Sequence, residues 1–160
     1  MAEQWLRKAS LMLVNGTQAL DLSELRFTFK SSAADTESPN SVAIRVYNLS
    51  DATVRTIRGE FSRIVLQAGY AGNFGVIFDG TIKQYRVGKE TATTSYLDIL
   101  AADGDIGFNF GVVNRTLAAG SSPAERTAVT IAAMDPQTIS AGYIPNSPGG
   151  ILPRRKVLFG

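Results

Sequence analysis

The sequence predicts a mostly β fold: an antiparallel, barrel-like domain with two short helices. Three observations lead to this prediction. Apolar residues alternate with a period of two over most of the chain, which is typical of half-buried strands. Seven or eight such segments follow one another at short spacing, which favours a barrel or a sandwich. Only two segments carry the capping residues of a helix. The length of 160 residues suits one domain spanning residues 1–160.

The first strands are predicted as a hairpin. Leu11 and Leu13 alternate with their neighbours and lead into Asn15-Gly16, a dipeptide that accepts positive φ. The return strand is expected over Thr17–Leu22. Further extended segments are predicted at Arg26–Lys30, with Phe27 and Phe29 on one face, and at residues 42–47, Arg63–Tyr70, Val76–Tyr85, Thr93–Ala102, Phe108–Val113 and Lys156–Phe159. Within Val76–Tyr85, the pair Asp79-Gly80 predicts a bulge or a sharp bend.

Two helices are predicted from their N-termini. Ser50 is a good N-cap, and the short helix that follows is expected to end at Gly59, with Val54 and Ile57 on one face. The second helix begins at Ser122-Pro123-Ala124-Glu125, which has the pattern of a capping box with proline in the first turn. This helix is expected to run to about Met134 and to bury Ala128, Val129, Ile131 and Ala132.

The composition excludes several classes of catalytic site. The chain has no histidine and no cysteine. It therefore has no Ser-His-Asp triad, no thiolate nucleophile and no zinc site built on these residues. Sixteen basic and fourteen acidic residues leave a net charge of +2, which is too balanced to indicate nucleic acid as the main partner. The apolar runs are far shorter than the roughly 20 residues that span a bilayer, and no secretory signal is visible. We expect synthesis in the cytoplasm and no direct membrane binding.

No catalytic, cofactor-binding or metal-ligating residue is predicted. Asp103-Gly104-Asp105 lacks the later acidic ligands of a calcium loop and is interpreted as a tight turn. A glycan hydrolase would need two neighbouring carboxylates, and nothing in the sequence brings two of them together. A glycan hydrolase remains the alternative from the enzyme class, with these candidate acids: Glu24, Glu37, Glu60, Asp79, Asp98 and Asp105.

Two long loops are predicted to act as arms between subunits: the polar segment Ser31–Asn40 and the segment Gln137–Pro153, which is rich in glycine and proline. Long loops of this kind are usually disordered or ordered by a partner. The composition and these loops together indicate a protein that assembles rather than one that catalyses.

Several segments, in order along the chain, resemble the baseplate hub proteins of tailed bacteriophages. The resemblance covers about Leu25 to Gly160, and it is carried by Pro39–Ser50 with Thr53 and Ile57, Leu66–Tyr70, Gly75–Ile82, Ala101–Asp105, Asn114–Gly120 and Leu152–Val157. It is a resemblance to the central hub of contractile tails and to the late-control D-type proteins. Hub proteins of this kind usually continue well beyond this length, so the resemblance is to their N-terminal half.

The resemblance implies a structural, non-enzymatic role in the baseplate of a virion tail. Such hubs form a ring of barrel domains that joins the tail tube to the central spike, and DNA passes only through the lumen. The expected partners are therefore further copies of the chain in a trimeric or hexameric ring, the tail tube protein, the spike and other baseplate proteins. One barrel per chain would suit a ring of six copies. A distal tail protein or a tube-type ring protein is the nearest alternative.

Overall fold

The computed structural model of the protein describes residues 7–33, 38–134 and 149–159. The chain divides into two compact units, Met1–Gly104 and Asp105–Gly160. They are called the sheet unit and the C-terminal unit below. The single domain over residues 1–160 stays a prediction.

The sheet unit holds one antiparallel sheet of seven strands, which confirms the mostly β, antiparallel prediction. The strand order is β2-β1-β5-β6-β7-β4-β3. The strands are β1 (Arg7–Asn15), β2 (Gln18–Asp21), β3 (Phe27–Ser32), β4 (Ser41–Tyr47), β5 (Arg63–Tyr70), β6 (Asn73–Lys89) and β7 (Ser95–Ala102).

The sheet is curled but, over the described residues, it does not close into a barrel, so that part of the prediction is corrected. The two edge strands, β2 and β3, are consecutive in the chain and are joined by residues 22–26 alone. In this connection the N–H of Leu25 donates to the Leu22 carbonyl at 3.1 Å, so the chain turns instead of extending a ladder. A connection of this length spans roughly 20 Å at most, which keeps the two edges near each other.

The interior of the curled sheet is one apolar cluster. Side chains alternate between two faces along each strand, and the inward face is called the core face. Leu13 of β1, Ile99 of β7 and Val46 of β4 are all fully buried on it. Because strands from both halves of the sheet contribute to this cluster, curling provides the burial that a second sheet provides in a sandwich.

The hairpin predicted at the start of the chain is confirmed. Asn15 pairs with Gln18, so the turn residues are Gly16 and Thr17. Gly16 has a φ of +56°, a conformation that glycine adopts without steric cost. The register therefore follows from the position of this glycine.

Two bulges bend the long strand β6 on either side of Gly80. Its pairing with β5 shifts between Leu66 and Gln67, and its pairing with β7 shifts between Ile82 and Gln84. The irregularity predicted at Asp79-Gly80 thus lies a few residues to either side of that pair. Gly80 itself has a different role, because a Cβ there would lie 2.7 Å from the Ala102 carbonyl oxygen.

The first predicted helix is confirmed as α1 (Asp51–Glu60). The Ser50 hydroxyl accepts a hydrogen bond from the Thr53 N–H at 3.1 Å, as an N-cap does. Ile57 is the one buried residue of this helix, and it belongs to the apolar cluster of the sheet. Packing through Ile57 therefore attaches a helix that is too short to be stable by itself.

The C-terminal unit contains α2 (Asp105–Phe110), β8 (Asn114–Leu117), α3 (Pro123–Met134) and β9 (Lys156–Phe159). The prediction of an extended segment at Phe108–Val113 is wrong, because its first half is helical. The Asn109 amide donates to both the backbone oxygen and the carboxylate of Asp105, which supports this single helical turn. The described residues thus hold three helices, where two were predicted.

Helix α3 has the predicted start but not the predicted burial. The Ser122 N–H donates to the Glu125 carboxylate at 2.7 Å, and the Glu125 N–H donates to the Ser122 hydroxyl at 3.2 Å. This reciprocal pair is a capping box. No residue of α3 is buried, and Ala128 and Ala132 are exposed. The strand prediction for Lys156–Phe159 is confirmed, but the ribbon that it forms with β8 has only two strands and offers little surface to cover a helix.

Tyr85 connects β6 to the end of α1, and its removal gives a first testable prediction. Its hydroxyl donates to the Phe61 carbonyl at 2.8 Å, and burial raises its pKa from 10.0 to about 12. We expect Tyr85→Phe to lower the free energy of unfolding by about 1 kcal/mol at neutral pH, because the hydrogen bond is lost. Urea denaturation measures this change.

The same variant has a signature at alkaline pH. Because folding raises the pKa of Tyr85, its contribution to stability is complete below pH 10.0 and is lost as the pH rises to about 12. Tyr85→Phe should therefore show a shallower fall in stability over that interval than the parent protein. Equal slopes in the two proteins would contradict the assignment.

Candidate interaction surface

The face of the sheet opposite the core face carries an ordered set of polar and charged side chains, and it is called the outer face. Residues directly opposite each other on paired strands share a face. The register places Thr28, Arg45, Asp98 and Arg86 in one row across strands β3, β4, β7 and β6. The next row consists of Lys30, Ala43, Leu100 and Gln84.

Arg45 and Asp98 form a bidentate ion pair at the centre of the first row. Arg45 Nε donates to Asp98 Oδ1 at 2.6 Å, and Arg45 Nη2 donates to Asp98 Oδ2 at 2.9 Å. The hydrogen bond to Asp98 raises the pKa of Arg45 further above its ordinary value. Since the two side chains are 36% and 24% exposed, solvent screens the pair, and its main effect is to fix the guanidinium in one orientation.

Tyr96 supports the Arg45 guanidinium from one side. The guanidinium carbon lies 3.9 Å from the centre of the Tyr96 ring, a cation–π arrangement. The ring in turn lies over Gly88, where a Cβ would come within 2.4 Å of the Tyr96 hydroxyl oxygen. Because Gly88 has no side chain, the Tyr96 ring can lie over it and contact the Arg45 guanidinium.

A shallow cavity of about 280 Å³ opens at these rows, and it is called the outer cavity. It is lined by Thr28, Phe29, Lys30, Ala43, Ile44, Arg45, Arg86, Asp98, Ile99 and Leu100. Three cationic side chains and one carboxylate give it a net charge of +2. Residues 1–104 contain equal numbers of acidic and basic residues, so this charge is a local concentration.

The edge of β3 is a second feature of this surface. The N–H of Tyr47 donates to the Arg26 carbonyl at 3.0 Å, which fixes the alternation of hydrogen bonds between β3 and β4. Thr28, Lys30 and Ser32 therefore bond to β4. Phe27, Phe29 and Ser31 direct their backbone groups to the side where no described strand pairs. Within the part of the chain that the structure describes, this row has no partner strand and can accept another strand.

Two of the six carboxylates considered for hydrolysis form ion pairs with arginine side chains. Asp98 is held by Arg45, and Asp79 accepts two hydrogen bonds from Arg63. The bonds to Asp79 raise the pKa of Arg63. Glu24 and Glu60 are exposed, and Glu37 lies outside the described residues. Among the described residues, no group of three or more acidic, histidine or cysteine side chains can hold a metal ion.

The turn predicted at Asp103-Gly104-Asp105 links β7 to α2. Gly104 has a φ of +68°, and the Asp103 N–H donates to the Asn40 carbonyl at 2.9 Å. Asp105 is the first residue of α2. Its carboxylate accepts the Asn109 amide, so its role here is local and structural.

The predicted intersubunit arms fall largely outside what the structure describes. Of Ser31–Asn40, residues 34–37 are outside the described ranges, and Ser31 and Ser32 extend β3. Of Gln137–Pro153, residues 137–148 are outside them.

Among the helices of the described ranges, none combines the length and apolarity needed to cross a membrane.

The outer cavity could not be predicted from the sequence, although the polar and charged residues that line it alternate with apolar residues along their strands. Arg45 and Asp98 are 53 residues apart, and only the pairing of β4 with β7 places them opposite each other. The one available signal was a charged residue within each strand, on the face opposite the apolar positions. A scan against protein-family models and a search of curated proteins both found no match to this chain.

Proposed function

We propose that this protein is a non-enzymatic structural subunit of a tailed-phage baseplate hub, in a ring that joins the tail tube to the central spike. The observation that carries the proposal is the open edge of β3 on a curled antiparallel sheet. An edge strand of this kind is a ready-made surface for sheet extension between copies. The ordered hub-like segments of the sequence supply the identity of the assembly.

The β3 edge suits such a contact in its length and in its place in the chain. Strand β3 has six residues, while the other edge strand, β2, has four. Short edge strands are one of the means by which proteins prevent unwanted pairing. The longer edge, β3, is therefore the better candidate for pairing with a neighbouring copy, and it leads directly into the predicted arm Ser31–Asn40.

The state of the acidic residues also supports a structural role. A glycan hydrolase keeps one carboxyl protonated and one ionised beside the same bond. Asp79 and Asp98 are instead each held by two hydrogen bonds from a guanidinium, Asp79 by Arg63 and Asp98 by Arg45. Their arrangement suits the fixing of strand register rather than proton transfer.

A proline at Ser31 tests the ring through the β3 edge. We expect Ser31→Pro to block strand addition, because the N–H of Ser31 points to the open side and proline has none. No hydrogen bond between β3 and β4 is lost, since Ser31 and Val42 are a non-bonded pair of the ladder. Light scattering of the purified full chain should show a trimer or hexamer for the parent protein and a monomer for Ser31→Pro.

The matched control is Ser31→Ala, which removes the same hydroxyl and keeps the N–H. It should assemble like the parent protein. A monomeric parent protein that is also absent from virions would overturn the hub assignment, and an intact Ser31→Pro ring would overturn the role of the β3 edge. In a cryo-EM map of whole tails, three or six copies at the end of the tube support the hub, whereas a repeating stack would identify a tube protein.

A further inference from the structure

The outer cavity has positive charge that its own residues do not neutralise. Both oxygens of Asp98 are bonded to Arg45. Arg86 donates to the neutral amide oxygen of Gln84 at 3.2 Å. Lys30 is exposed, and its side chain makes no hydrogen bond or ion pair with any described residue. Two cationic groups at the two sides of the cavity are therefore available to an anion.

The central cation is already held in one orientation. Arg45 engages Asp98 through Nε and Nη2, while Tyr96 supports the plane of its guanidinium. The remaining N–H groups on Nη1 are not used by Asp98. Ligand binding at Nη1 therefore costs little entropy of the Arg45 side chain, because that side chain is already ordered in the folded protein.

The dimensions of the cavity fit an extended chain. Lys30 lies on β3 and Arg86 on β6, with β4 and β7 between them. Three strand spacings are about 14 Å, and Arg86 lies one row, about 7 Å, further along the strands than Lys30, so the two positions are about 16 Å apart. Alternate side chains on one face of an extended peptide are about 7 Å apart, so carboxylates at positions i and i+4 are about 14 Å apart, and the long side chains of Lys30 and Arg86 reach them. The apolar floor at Ala43 and Leu100 suits the methylene groups of glutamate side chains.

We propose that the outer cavity binds an acidic peptide segment of a protein partner, with Lys30 and Arg86 each contacting one carboxylate. Spaced carboxylates fit this row better than a phosphate backbone does, because Asp98 lies between Arg45 and Arg86 and repels a continuous run of negative charge. The nearby Tyr96 ring already carries Arg45, so it does not serve as a platform for stacking bases. This site lies on the outer face and does not depend on the ring proposed above.

A labelled peptide with glutamate at every fourth position and serine between tests the proposal by fluorescence anisotropy at low salt. We expect the parent protein to bind it, and Arg86→Gln and Lys30→Gln each to weaken binding about two- to fivefold, the range for exposed ion pairs. Asp98→Asn should strengthen binding, because it removes the one negative charge of the cavity. Lys89→Gln is the matched control: it removes the same charge from an exposed position of β6 outside the cavity, and binding should be unchanged.

The contradicting outcomes are specific. No measurable binding by the parent protein, or an equal loss in Lys89→Gln and Arg86→Gln, would overturn the proposal. An unlabelled thymidine oligonucleotide that displaces the peptide at lower concentration than unlabelled peptide does would assign the cavity to nucleic acid instead. Thermal unfolding of each variant shows whether it is folded, and Lys30→Gln provides an independent test if Arg86→Gln is not.

Discussion

Replacing Gly80 with alanine should lower the free energy of unfolding by about 2–3 kcal/mol, the upper part of the range for forcing atoms into a packed interior. An alanine Cβ there would lie 2.7 Å from the Ala102 carbonyl oxygen, 2.9 Å from the carbon of that carbonyl and 2.8 Å from the Phe78 ring. The first two atoms belong to the backbone of β7. Relief of the clash therefore requires the two central strands of the sheet to move apart, and a rotamer change is not enough.

The control for this effect is Gly75→Ala in the same strand. No atom lies within 4 Å of a Cβ built on Gly75, and the residue is exposed. We expect a change within about 0.5 kcal/mol, as for other surface substitutions. Urea denaturation at neutral pH measures both variants. Equal midpoints for Gly80→Ala and Gly75→Ala would show that β6 and β7 do not approach each other as described.

The second large effect is expected at Ile57. We expect Ile57→Ala to cost about 2–4 kcal/mol, the range for deleting most of a buried aliphatic side chain. Ile57 is fully buried, and it is the one residue of α1 that is. Since a ten-residue helix is marginal by itself, α1 should also lose its order when this contact is removed.

Two measurements separate these consequences. Urea denaturation gives the loss of overall stability, and hydrogen exchange gives the loss of protection within α1. Thr56→Ala, at the exposed neighbouring position, should change neither by a large amount, because alanine favours the helix and no buried contact is lost. Protection of the α1 amides in Ile57→Ala equal to that in Thr56→Ala would mean that other contacts attach the helix.

The strands could be predicted because their local pattern and their final environment agree. Val42, Ile44 and Val46 alternate in the sequence and are all buried on one side of the sheet. The caps at Ser50 and Ser122 likewise depend on residues only three positions apart. Signals of this range are complete within the local sequence, and tertiary packing did not override them.

The remaining features depend on relations between distant parts of the chain. The two bulges in β6 lie where its pairing with β5 and with β7 shifts, so their positions depend on two other strands. The pair Asp79-Gly80 therefore predicts the irregularity only approximately. Barrel closure depends on whether β2 and β3 pair, and neither strand carries that information alone. The segment at Phe108 is apolar at short spacing, which does not distinguish a strand from a single helical turn.

The candidate site was beyond prediction for the same reason. A charged residue in the middle of a strand is ordinarily a solvent-facing position. Arg45, Asp98 and Arg86 become a group only when three strands are in register. The absence of histidine and cysteine excluded whole classes of site but carried no information about this one.

The strand order also has a consequence for how the protein folds. Four of the six neighbouring pairs in the sheet join strands that are consecutive in the sheet unit, so they can form as local hairpins. The other two, β1 with β5 and β4 with β7, bring together residues about fifty to sixty positions apart. Both require a large loss of chain entropy before any contact compensates for it, and both dock onto the β5–β6–β7 meander. We infer that the meander is the platform on which the two ends of the sheet are assembled, and that the docking of β1 and β4 onto it limits the rate of folding.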